Sequence, residues 1–189
     1  KNIKLKVGSE IQVDEMEIGK RTSRYNGWFI DSIDTTTRFM VSSDYVKSRG
    51  QKEIREVILN AKKKTEKQIK IVTTDGYTAY EDVVKKTFGY NLKLNQYNVF
   101  HHKVTQLKNE GFNHKIERLH NSVRHRIKTF RGFHGSLSSA NAIMRGFEVY
   151  YNFIRKHQAI GKCPYELATD IKLKSHNKWL ELINLNYEI

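Results

Sequence analysis

Residues 113–133, NHKIERLHNSVRHRIKTFRGF, read as one long helix with two different sides, and any fold must serve both. Ile116, Leu119, Val123, Ile127 and Phe130 recur at three- and four-residue steps, which lines them up as one apolar stripe. At about 100° per residue, Glu117, Asn121, Arg124 and Lys128 fall in a narrow sector elsewhere on the same cylinder. That sector holds one carboxylate among cations, with Arg118, Arg126 and Arg131 nearby. A lone acid in such company is either an ion-pair partner or a metal ligand beside a polyanion.

The upstream chain narrows the choice. Residues 9–18, SEIQVDEMEI, alternate apolar and polar, with Ile11 and Val13 on one face of a strand and Gln12, Asp14 and Met16 on the other. A carboxylate in mid-strand is costly to bury unpaired, so Asp14 must sit at an edge, be paired, or bind a cation; Glu15 and Glu17 follow it closely. Residues 19–26 predict a hairpin turn, and residues 27–33 and 38–46 two further strands of an antiparallel meander. Residues 51–66 form an amphipathic helix with Ile54, Val57, Ile58 and Ala61 facing in and a lysine-rich, solvated C-terminal end. Residues 68–74 are a short apolar strand that delivers Asp75-Gly76, and residues 77–88 a second amphipathic helix. This is a βαβ arrangement with Asp75 at a carboxyl strand end, where such sheets gather their ligands.

Farther on, residues 91–100 predict a fifth strand, followed by His101-His102 and a loop to Gly111. Residues 138–157 predict a strongly apolar helix, Pro164 a helix start, and residues 178–184 a final turn or two. The expected organisation is a basic lead-in over residues 1–8, one core domain over 9–170, and a helical extension over 171–189.

Charge points to the partner. Lysine and arginine number 34 against 20 acidic residues, a formal net charge of +14, which suits DNA or RNA first and an anionic membrane only distantly. No run approaches the roughly 20 apolar residues of a membrane span, and no signal-peptide core opens the chain. The single cysteine, Cys163, excludes an intramolecular disulfide, fits a reducing cytosol and reads as structural. With no second cysteine, His101-His102 read as strand-end or DNA-facing residues and not as half of a zinc site. The aromatic cluster of Tyr150, Tyr151, Phe153 and Tyr165 reads as core packing before base stacking.

Four pieces, in order, resemble a known family: VDEMEI around Asp14, TTDGYTAY around Asp75, IERLHNSVRHRIKTFRGF around Glu117, and GFEVYYNFIRKHQAIGKCPYELA near the C-terminus. Together they are similar to the DDE transposases of prokaryotic insertion sequences, which share a ribonuclease-H-like core with retroviral-type integrases. The resemblance implies an α/β fold with a mixed five-stranded sheet, three antiparallel strands followed by parallel ones, flanked by helices. It implies Asp14, Asp75 and Glu117 as the catalytic, metal-binding triad, with Glu110 a less suitable competitor for the last. The interval between Asp75 and Glu117 is longer than the compact spacing common in the family, and residues 89–111 hold the extra length.

The implied chemistry is DNA strand cleavage followed by transfer of the freed 3′-hydroxyl, using two Mg²⁺ or Mn²⁺ ions held by oxygen ligands. Arg124, which matches the family's basic position two turns after the glutamate, would hold a phosphate. His120, Lys128, Arg118 and Arg131 complete the expected DNA-facing set, with His120 also placed to assist the site or stand as a plain surface histidine. Expected partners are transposon-end and target DNA and further copies of the chain, a homodimer or larger assembly, with no small-molecule substrate. The expected setting is a prokaryotic cytoplasm, at the nucleoid. Transposases of this kind usually begin with a helix-turn-helix region. Here the catalytic strand starts almost at Lys1, which predicts an excised domain or a truncated element. A stand-alone ribonuclease-H-like nuclease and a non-catalytic DNA-binding relic are the rival readings.

Overall fold

The strand at the centre of the sheet is the one that carries Asp14. In the computed structural model, which describes residues 3–18, 27–66, 68–104, 113–129, 133 and 136–185, β1 (Glu10–Ile18) pairs antiparallel with β2 (Gly27–Asp34), and β2 with β3 (Met40–Val46). On the other side β4 (Ile71–Thr74) joins β1 in parallel, and β7 (Phe100–Lys103) joins β4 in parallel. The order is β3-β2-β1-β4-β7, the mixed five-stranded sheet expected from the sequence. The turn expected over residues 19–26 lies outside the described residues, as do Phe130, Arg131, Glu110 and Gly111.

Strand periodicity sorts the core into two layers. Ile11, Val13 and Ile30 join the cluster built with α1 (Gln51–Thr65) and α2 (Ala79–Phe88). Met16, Ile18, Phe29 and Ile33 join the opposite cluster, with α3 (His114–Thr129) and α4 (Leu137–Val149). Ile116, Leu119, Val123 and Ile127 are all buried there, so the stripe read from the sequence is the face that docks. Gln12 and Asp14 share the α3 side of β1 by the same alternation. Gln12 Oε1 accepts the Ile116 N–H at 3.2 Å, satisfying one of the donors that every helix start leaves free. That bond fixes the axial position of α3 over β1.

The fifth sheet strand begins later than the sequence pattern indicates. Asn91 Oδ1 takes the N–H groups of Lys93 and Leu94, and Asn95 adopts a positive φ of 51°, so the chain folds back into a small hairpin of β5 (Tyr90–Asn91) and β6 (Gln96–Tyr97). Pairing with β4 starts only at Phe100, and it places His101 and His102 inside the strand. The late helix also differs from expectation. After α4 the backbone widens into a π-helical turn, Tyr150–Ile154, and becomes extended at Arg155. The turn aims Asn152 at the outer edge of β3, where its amide accepts from Met40 N–H (2.8 Å) and donates to Met40 C=O (2.9 Å). Asn141 does the same at Tyr45, at 3.1 and 2.8 Å. Two asparagines therefore occupy backbone groups that an open edge strand would offer to another chain.

The lead-in and the C-terminal extension both rest on the core. Leu5 is buried, Lys6 N–H donates to Ala168 C=O, and Leu182 of α6 (Lys178–Leu185) belongs to the first cluster. The short α5 (Tyr165–Ala168) starts after Pro164 as expected. Phe153, Tyr151 and Tyr165 are buried core residues and Cys163 is buried, but Tyr150 is exposed, so the core packing expected of the cluster does not extend to it. Among the described residues no helix is long and apolar enough to cross a membrane.

Candidate active site

β4 pairs with β1 only as far as Gln12 opposite Thr73. Beyond that point the two parallel strands part, and the gap is lined by Asp14 on β1 and Asp75 just past the end of β4. Carboxylate oxygens of Asp14, Glu15 and Asp75 all lie within 4.8 Å of one another there. Each is held differently. Asp14 Oδ1 accepts the Glu15 N–H at 2.8 Å, and Asp75 Oδ1 accepts the Tyr77 N–H at 2.9 Å, closing the turn that leads into α2.

Glu15 has a side chain only 2% exposed and takes hydrogen bonds on both oxygens, from Arg49 Nη1 at 2.9 Å and from the Tyr80 hydroxyl. The Arg49 guanidinium lies between the Trp28 and Tyr77 rings, 4.4 and 4.6 Å from their centroids. Arg49 thus ties β1 to the Asp75 turn through the ring of the residue that Asp75 caps. In the sequence Glu15 stands out only as a neighbour of Asp14, and nothing around Arg49 or Tyr80 marks either as its partner. These three lie far apart along the chain, and no local pattern joins them.

On the α3 side, the His120 ring is 3% exposed and spans two acids. Its Nε2 lies 2.7 Å from Asp31 Oδ1 and its Nδ1 3.6 Å from Asp14 Oδ2. The expectation of a DNA-facing His120 is therefore corrected, because the apolar stripe turns the ring inward with it. Its site-side alternative is where the ring lies.

Comparison with known proteins settles the family. A family model of the DDE domain, IS240 type, matches residues 11–158. The chain belongs to the DDE domain family. No curated protein sequence matches it. The solved structures that this DDE domain resembles include the HTLV-2 integrase catalytic core domain in complex with magnesium, in a trimeric form (TM-score 0.57, 13% identity, 85% of this chain and 97% of that one). The dimeric form of the same core gives a TM-score of 0.58 at 12% identity, with the same coverage. A simian T-cell lymphotropic virus intasome, in complex with a PP2A regulatory subunit, gives 0.64 at 12% identity, covering 93% of this chain and 60% of that one. At these identities the likeness shows a shared fold, the ribonuclease-H-like one.

Of the acids expected to form the triad, the DDE domain brings Asp14 and Asp75 together and adds Glu15, while Glu117 stands apart from that cluster. Glu117 lies in the first turn of α3 with a side chain 63% exposed, its Oε2 3.9 Å from His114 Nδ1. It sits one turn before His120, about 60° around the helix, with its side chain largely in solvent. Arg118, Arg124 and Lys128 are exposed on the same helix, and Arg124 Nη1 donates to Asn121 Oδ1. His101 is half-buried against Thr74 Oγ1 at 2.9 Å; burial and the nearby Lys103 lower its pKa to about 4, so it stays neutral at pH 7.

The donor set fits a hard divalent cation. It is all oxygen, with the carboxylates of Asp14, Glu15 and Asp75 within 4.8 Å of one another. Burial pushes the Asp14 pKa up to about 7, with Asp31 and Glu15 adding to the rise against the opposing pull of His120 and of the Glu15 N–H. Burial also raises Asp31 and Glu15. For His120, burial alone would lower the pKa, but the charges of Asp31 and Asp14 and the Asp31 hydrogen bond raise it.

All four shifts act in one direction. A raised folded-state pKa gives stability that is present at low pH and lost as pH rises through that value. For Asp14 the loss runs from near 4 to about 7. In chelator the melting temperature is expected to fall between pH 5 and pH 8, and saturating Mn²⁺ to restore it most at pH 8. At about 100 times Kd the metal contributes about 2.7 kcal/mol, which thermal unfolding at the two pH values reads directly.

Proposed function

We propose that this DDE domain cuts DNA and joins the freed 3′-hydroxyl to a target strand, as a catalytic module of a transposase, with Asp14, Asp75 and Glu117 as its working acids. The observation that carries the reading is the convergence of Asp14 and Asp75 at parted parallel strand ends, with oxygens close enough to share one ion. Two Mg²⁺ or Mn²⁺ ions, when bound, would activate the attacking oxygen and stabilise the leaving one. The magnesium in the HTLV-2 integrase core supports that choice of ion.

The chain's own groups do the rest. Asp14, facing both Asp75 and the α3 side, would contribute to both ions. Arg49 and Tyr80 hold Glu15 by both oxygens, so Glu15 contributes charge and rigidity before ligation. The exposed cations of α3, namely Arg118, Arg124 and Lys128, take backbone phosphates beside the cleft, which makes binding fall steeply with salt. Arg131 extends that set in sequence. Assembly on paired DNA ends would require more than one copy, and the setting that fits this reading is the DNA of a prokaryotic cytoplasm.

The test is a joining assay. A labelled oligonucleotide with a free 3′-hydroxyl is incubated with supercoiled plasmid, the chain and Mn²⁺. Covalent capture of label in nicked plasmid is expected. Nicking without capture would replace the transposase reading with that of a nuclease, and neither product would leave a DNA-binding relic.

A further inference from the structure

We infer that Asp31 and His120 are a positioning pair for Asp14: Asp31 clamps the imidazole, and the imidazole fixes the carboxylate that faces Asp75 across the parted strands. The inference rests on Asp14 being a metal ligand.

The geometry begins in the sheet. Asp31 is the direct cross-strand partner of Asp14, so both side chains leave the same face, towards α3. Two carboxylates in that relation repel unless a donor stands between them. His120, brought over β1 by the buried stripe of α3, is that donor. His120 Nε2 lies 2.7 Å from Asp31 Oδ1, and the doubly protonated ring, a donor at both nitrogens, donates there to Asp31 and turns Nδ1–H towards Asp14 Oδ2. At 3.6 Å the latter is a charge contact and not a hydrogen bond. The other Asp14 oxygen is held by the Glu15 N–H, so both oxygens have an orienting partner.

Energetics argue that the arrangement is kept for more than the fold. Asp31 is 0% exposed, and its Oδ2 has no hydrogen-bond partner among the described residues. A buried ion pair is commonly no more stable than apolar residues of equal volume, so this one is a poor way merely to fill space. Neither Asp31 nor His120 belongs to the group of acids that can share an ion, so they act through Asp14. Partners that orient a ligand in this way typically set metal affinity within a factor of 10–100.

The test is Mn²⁺ titration of the full chain by calorimetry, with wild type, H120Q, H120N, D31N and D14N at one pH and salt, each checked for folding by near-ultraviolet circular dichroism. Gln extends its amide towards Asp31 and gives up the contact to Asp14, whereas Asn keeps an amide near the Nδ1 position. The expected result is a weakening of roughly 10–100-fold for H120Q and D31N, a smaller one for H120N, and nicking by H120Q recovered at proportionately higher Mn²⁺. A role in packing alone gives neither the Asn–Gln order nor recovery by metal. The double variant D31L/H120L, which removes the buried charges altogether, replaces any single variant that does not fold, with the same loss expected. Folded H120Q, D31N or D31L/H120L binding Mn²⁺ within twofold of wild type overturns the pair. Wild-type affinity in D14N overturns the metal reading itself, and that outcome is separate.

Discussion

Asp14→Asn is expected to abolish Mn²⁺ binding and plasmid nicking while making the metal-free protein more stable at pH 8. The two effects have one cause. Asp14 is held in a setting that disfavours its charge, with burial pushing its pKa up to about 7 and Asp31 and Glu15 close by. Asparagine keeps the shape, keeps an oxygen for the Glu15 N–H, and removes the charge that is costly at high pH. The melting temperature in chelator should therefore rise at pH 8 and change little at pH 5, where wild-type Asp14 is already largely protonated. Nicking should fall on the order of 10³-fold or more, about 4 kcal/mol of transition-state stabilisation. Asp75→Asn should lose nicking to the same degree. A variant that is more stable but inactive excludes unfolding as the cause. Nicking within tenfold of wild type in a folded Asp14→Asn protein would refute the site.

Much of this was readable from residue order because it depends on period. The alternation in β1 put Asp14 on the face opposite Ile11 and Val13, and the structure keeps it there. Of the five residues that the apolar steps of α3 pick out, Ile116, Leu119, Val123 and Ile127 dock, and Phe130 lies outside the described residues. The turn signal Asp75-Gly76 after an apolar strand placed the second acid at a strand end, where the sheet opens. What escaped was either local hydrogen bonding that overrides period or contact between distant residues. Asn91 and Asn95 fold the chain back before Phe100, so β7 starts late. The π-helical turn at Tyr150–Ile154 has no sequence period of its own and is fixed by the bonds of Asn152 to Met40. No local pattern marks Asp31, because its meaning comes from the cross-strand register and from His120, which joins it across 89 positions of sequence.

Glu117→Gln decides whether the third acid belongs to the working site. The side chain is 63% exposed, in the first turn of α3, and its recorded partner is His114 at 3.9 Å, so little of the fold depends on it. Surface substitutions of this kind shift stability by no more than about 0.5 kcal/mol, so a folded protein is expected. A merely structural Glu117 would leave nicking within threefold of wild type. A working Glu117 must close on the cleft when metal and DNA are both present, and its loss then costs on the order of 10²-fold in nicking, about 2.7 kcal/mol. The placement favours the second outcome. Glu117 lies one turn from His120, which already touches Asp14, and its helical neighbours Arg124 and Lys128 are the cations that would bring phosphate to the same margin. Mn²⁺ affinity without DNA is expected to change little, since the group that can share an ion in the free protein is Asp14, Glu15 and Asp75. The signature is thus a split: metal binding retained in the free protein, nicking lost on DNA. If both are retained, Asp14 and Asp75 work with Glu15, and the acid on α3 is a surface residue.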